Sequence, residues 1–141
     1  MSYERQNGLR RYTYYTTFDF GTGSATELMW IKGPKGKNGL LVDYGVEQTI
    51  EAFSGLTTVP SVSVGSESDA DAYGDEFSLN GVVINSFSSV RSDNDERTTG
   101  FTTMMDDRTI PKDTTVVVYG NPATGTPTGQ GVPFVEILWD D

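Results

Sequence analysis

Between residues 12 and 20 every second position carries an aromatic side chain or threonine: Tyr12, Tyr14, Thr16, Phe18 and Phe20. A period of two places such side chains on one face of an extended strand, whereas a helix would scatter them around its axis. Arg11, Thr13, Tyr15, Thr17 and Asp19 fall on the other face. The aromatic face reads as core wall and the second face as outward. Nowhere else do apolar residues recur at helical spacing for more than a few positions, and 18 threonines and 16 glycines favour short strands and turns. The expected class is all-β: an antiparallel β-sandwich, jelly-roll-like, with about eight short strands and little helix.

Strands are expected over residues 9–20, 26–31, 40–44, 61–65, 78–85, 97–105, 114–120 and 132–139, the first three forming a meander. Residues 1–11 read as an N-terminal arm and residues 12–141 as the sandwich domain. Two connections read as surface loops: the acidic stretch 66–76 (SESDADAYGDE) and the Gly/Thr/Pro stretch 121–131 (NPATGTPTGQG). The second is long for a link between two strong strands, and loops of that length often carry function.

At 141 residues, folding removes roughly 70% of the unfolded chain's surface from water, so one core suffices without covalent staples. None are available, because the chain has no cysteine. Histidine is also absent, which removes the usual general base near neutral pH, the Ser/His/Asp and Cys/His triads and the commonest transition-metal ligand. The expectation is a protein that is not an enzyme and needs no cofactor.

Formal charge is -10 with a pI near 4.3, a field that repels phosphate, so no nucleic-acid partner is expected. The N-terminus has no apolar leader and no run long enough to span a bilayer, so no membrane partner is expected and the chain reads as folded in cytosol. Charge is uneven: residues 1–37 hold six basic and three acidic residues, net +3, and residues 38–141 hold four basic and 17 acidic, net -13. Arg5, Arg10 and Arg11 on the arm, with Lys35 and Lys37 in a glycine-rich connection, are the candidate partner contacts. Tyr15 joins them, because an outward tyrosine supplies rigid amphipathic contact area.

Three motifs bear on binding or catalysis. Lys32-Gly-Pro-Lys-Gly-Lys-Asn-Gly39 lacks the four-residue glycine spacing and the Lys-Ser/Thr of a phosphate loop, and a strand rather than a helix follows it. Asp69, Asp71, Asp75 and Glu76 resemble the opening of a calcium loop, but Tyr73 replaces its third side-chain ligand and Asn80 its closing glutamate. They stand as weak metal candidates beside the reading as a solvated acidic loop. Paired carboxylates hydrolyse sugars in some enzymes, yet no pair here is flanked by residues that would line a sugar subsite.

Three C-terminal pieces, IPKDTTVVVY (110–119), NPATGTPTGQG (121–131) and VPFVEILW (132–139), together with FDFG (18–21), GPKG (33–36), LLVD (40–43) and VSVG (62–65), resemble small virion structural proteins of tailed bacteriophages. The resemblance implies a β-sandwich seated on the head as a decoration or cement protein, often trimeric, whose partners are the major capsid protein or other virion subunits. It places the chain in the virion, assembled in host cytoplasm. It carries no fixed motif, so no site residue comes with it. The alternative is a carbohydrate- or receptor-binding module of a fibre or tail, using the 121–131 stretch.

Overall fold

The two longest strands pair with one another and form the spine. In the computed structural model, which describes residues 8–21, 26–56, 60–79, 82, 84–92, 108–122 and 125–140, β10 (Gly125–Trp139) runs antiparallel to β4 (Gly39–Leu56) from Gly39↔Trp139 to Leu56↔Gly125. Five register shifts, bulges or other irregularities, interrupt that ladder, and a bulge bends and twists the strand that carries it. β1 (Gly8–Thr13) and β2 (Phe18–Asp19) pair with the other side of β10, while β7 (Ser88–Ser89) and β8 (Thr109–Ile110) pair with β4. The second sheet runs β3 (Thr26–Lys32), β9 (Thr115–Asn121), β5 (Ser61–Gly65), β6 (Gly74–Ser78), and all its pairings are antiparallel.

The sheets stack face to face. Val116, Val118, Val62, Val64 and Phe77 from one meet Leu41, Tyr44, Val46, Val135 and Ile137 from the other, in a single buried cluster. Each such side chain contributes about 1.5–3 kcal/mol on leaving water. Edge-to-face aromatic contacts close its ends: Phe18 on Phe20 at 4.7 Å, Phe20 on Phe53 at 5.4 Å and Tyr44 on Phe77 at 6.5 Å. No helix occurs among the described residues, and so none long and apolar enough to cross a membrane.

The all-β sandwich expected from the sequence is what forms, with several local differences. The first three strands are not a meander: β1 and β3 lie in different sheets, and residues 33–38 cross between sheets instead of making a hairpin. Residues 9–20 form two strands separated by a break at 14–17. The strand expected at 78–85 ends at Ser78, with Asn85 in a left-handed turn at φ 65°. Gly125 to Gly131, expected in a loop, belong to β10. The strand expected at 97–105 lies outside the described residues. Gly8 to Arg11, read as the end of an arm, pair residue by residue with Trp139 to Glu136 in β1, and residues 1–7 lie outside the described residues.

Candidate functional site

The break at residues 14–17 has a physical cause in the partner strand. The Tyr14 amide donates to the Pro133 carbonyl at 2.9 Å, continuing the β1–β10 register by one pair. A strand residue presents its N–H and C=O to the same neighbour, so the missing N–H of Pro133 also falls on this side and the ladder loses a donor there. Pairing resumes at Phe18↔Gly131, leaving two more residues on the β1–β2 side than on β10. The excess bulges outward, and Tyr15 at its tip is 95% exposed.

The same alternation fixes the outer edge of β1. Tyr14 faces β10 through its backbone, hence Tyr12 and Arg10 do too, while Leu9, Arg11 and Thr13 turn their N–H and C=O groups away from β10. Among the described residues no strand pairs with that edge, nor with the outer edge of β3. Between the two edges opens a groove of about 510 Å³, with Tyr12, Tyr14 and Tyr15 on one wall and Leu28, Met29 and Trp30 on the other. Tyr12 and Met29 pack on the core, so the groove is the open mouth of the sandwich interior. The Tyr12 hydroxyl is fixed by Trp139 Nε1, which donates to it at 2.9 Å. Trp30 is 59% exposed, and its Nε1 donates to Glu27 Oε1 at 3.2 Å. Fixed aromatic walls, half wet and half apolar, suit recognition of another surface.

Of the candidate contacts from the sequence, Tyr15 lies at the groove and Arg10 is exposed on β1. Arg11 also lines the groove, but its guanidinium is engaged within the chain. Nε meets Glu47 Oε1 at 2.9 Å, Nη1 meets Glu136 Oε2 at 2.8 Å, and the group lies 4.1 Å from the Phe134 ring centroid. Arg11 is therefore a clasp on the outer face of its sheet more than a free cation. Lys35 is exposed in the connection between β3 and β4, where Lys32, Lys35 and Asp113 line a small cavity of about 190 Å³. Lys37 is half-buried in the same connection, its amide donating to the Pro34 carbonyl. Arg5 lies outside the described residues.

The acidic stretch is folded down, not free. Residues 66–73 cover the outer face of the second sheet: the Tyr119 hydroxyl donates to the Ser66 carbonyl at 2.6 Å, and the backbone at Asp69 and Ala70 occupies the place a side chain on Gly65 would take. Asp71 hydrogen-bonds Asp69, and this contact, then burial, then Asp75, pushes its carboxyl pKa up. Glu76 donates its amide to Asp75 Oδ1 at 3.2 Å. Among the described residues no three acidic side chains are arranged to hold a metal ion.

A second carboxylate belongs to no motif in the sequence. Asp43 is buried, and its Oδ1 accepts the Tyr44 amide at 2.9 Å and the Arg91 amide at 3.1 Å. Burial raises its pKa first of all, and Glu136 adds to that, against hydrogen bonds from Ser89, Arg91 and Tyr44 that lower it. The signal was present: a lone acid inside the apolar run Leu40-Leu-Val-Asp-Tyr44. Its role is to tie β7 and the turn after it to β4.

No protein-family model, curated protein or solved structure matches the chain.

Proposed function

We propose that this chain is a structural subunit of a phage virion, a decoration or cement protein of the head surface, and that it adheres through the open side between β1 and β3. The observation that carries this reading is the aromatic groove between two unpaired strand edges, with Tyr15 pushed out at its rim. Unpaired edge groups and fixed aromatic rings together form a surface that gains by being covered.

The strand order adds support. With β2 and β8, which lie off the main path of their sheet, set aside, eight strands run first, eighth, third, sixth in one sheet and second, seventh, fourth, fifth in the other. We read that order as a jelly roll, two Greek keys wrapped together, an architecture common in viral capsid domains and in lectins. Fold alone assigns no function, so the groove carries the argument. The carbohydrate-binding alternative uses residues 121–131, of which Gly125 to Gly131 are in β10.

The test is co-sedimentation of the purified chain with phage heads lacking it. Wild type is expected to pellet with the heads, and Tyr15→Ala with Trp30→Ala to lose about tenfold or more in affinity while staying folded. Undiminished binding by the double variant would remove the groove from the adhesive surface. Binding to a glycan array without binding to heads would favour the lectin reading.

A further inference from the structure

We infer that β1 pairs edge to edge with β1 of a second copy, in an antiparallel two-fold contact centred on Tyr12. This rests on the open side between β1 and β3 being the adhesive surface and names what covers it.

Free strand edges invite pairing, and proteins blunt them with short strands, irregular register, proline or charge. Among the described residues, three of the four strands that end the two sheet orders are blunted in this way. β7 has two residues, β3 loses register between Glu27 and Met29, and β6 carries Asp75 and Glu76. β1 instead holds six pairs with β10 without a shift, and Gly8 to Thr17 contain neither proline nor an acid. The outward N–H and C=O groups of its Arg11 and Thr13 have no strand partner among the described residues. A chain of charge -10 repels its copies wherever acids face acids, and along β1 they do not. Arg11 is already balanced by Glu47 and Glu136, so Arg10 is the charge that pairing must accommodate.

The residues of β1 fit their own copy in one register. A two-fold perpendicular to the sheet sets one residue opposite itself and keeps every side chain on its own face. Centred on Arg11, it would oppose two guanidinium groups, which destabilises a sheet. Centred on Arg10, it would leave Tyr15 outside the contact. Centred on Tyr12, it sets Arg11 opposite Thr13, Arg10 opposite Tyr14 and Leu9 opposite Tyr15, each pairing occurring twice. Arg11 and Thr13 both turn their backbone groups outward, so each such pair exchanges two hydrogen bonds and the two pairs make four. Arg10 gains a tyrosine ring. Leu9 and Tyr15, among the most exposed large apolar side chains of the described residues, cover one another. The same two-fold keeps both second sheets on one side of the joined sheet, so the two grooves, each walled by Tyr12 and Tyr14, open toward each other.

Analytical ultracentrifugation of the full chain tests this, with circular dichroism as the check of folding. Wild type is expected to be a dimer. Thr13→Pro removes an outward N–H and none that faces β10, a place where an edge strand accepts proline. It takes away two of the four backbone hydrogen bonds, one per copy, so affinity should fall about 30-fold or more. Arg10→Glu, a change at an exposed side chain that sets an acid on the edge, should weaken the dimer as well. Cysteine pairing reads the register, cleanly in a chain that has no cysteine. Arg10→Cys mixed with Tyr14→Cys should oxidise to a mixed disulfide dimer, since opposite residues of this kind lie about 4.5 Å apart. A wild type that stays monomeric at its highest soluble concentration overturns the inference. So does a folded Thr13→Pro or Arg10→Glu chain that dimerises like wild type, or a failure of the two cysteine variants to cross-link. A dimer that meets all these expectations but does not pellet with heads supports this inference and counts against the virion reading.

Discussion

The Arg11 guanidinium lies 4.1 Å from the centroid of the Phe134 ring, across the β1–β10 pair from it, and is held there by two carboxylates. Phe134 points to the outer face of its sheet, away from the core of Val135 and Ile137, yet it is fully buried, because Arg11 and the stacked ring of Phe87 at 5.3 Å cover it. Truncating Arg11 removes that cover and leaves Glu47 and Glu136 without their shared cation. Arg11→Ala is expected to cost about 1–3 kcal/mol of unfolding free energy, measured by urea denaturation, and Arg11→Lys part of that, because an ammonium cannot fork to both acids while lying on the ring.

Asp43 makes stability depend on pH in a stated direction. Its pKa is raised in the folded state, so the fold binds this proton more readily than the unfolded chain does. The cost of burying the carboxylate is fully present above the raised pKa and disappears as pH falls through it. Asp43→Asn removes the titrating charge and keeps an acceptor for the Tyr44 and Arg91 amides. Relative to wild type, the asparagine variant should therefore be most favoured near neutral pH and lose that advantage on acidification. A difference that stays flat with pH would contradict this. Asp43→Ala orphans both amides and should cost about 2 kcal/mol or more at every pH.

Thr49 Oγ1 is buried and has no hydrogen-bond partner among the described residues. A hydroxyl kept from water without a bond costs free energy, so Thr49→Val, of nearly the same shape, should gain about 1 kcal/mol, read as a rise in the midpoint of thermal or urea unfolding.

Tyr15 should separate contact from stability. Its side chain is almost wholly in water, so Tyr15→Ala is expected to change unfolding free energy by less than about 0.5 kcal/mol while weakening association. A large loss of stability would mean that the bulge holds the fold together and is not there to present a contact.

The period-two aromatic pattern made the sandwich legible, and the strands at 61–65 and 115–121 were readable from their valines. The break at residues 14–17 was not, because its cause sits more than a hundred positions away, in the N–H that Pro133 lacks. Nor was the length of β4. After Tyr44 comes Gly45, where the Ser88 backbone occupies the space of a side chain, and Glu47, Gln48 and Glu51 then dilute the apolar signal of a strand that continues to Leu56. Glycines and threonines at 125–131 read as a loop for the same local reason, although β4 pairs with them across several bulges. At the site, parity along the first strand singled out Tyr15. It also put Arg11 on the outward face, but not which acids would claim it, since Glu47 and Glu136 reach it only through cross-strand register. Trp30 became part of a contact surface only once β3 was seen at a sheet edge.

The side between β1 and β3 should be covered when this protein is at work. Amide hydrogen exchange of the chain within its native assembly, compared with the isolated chain, measures that directly. Slowed exchange at the outward amides of Leu9, Arg11 and Thr13 and across residues 14–16 and 28–31 is the predicted result. Unchanged exchange there, with protection confined to other surfaces, would contradict it.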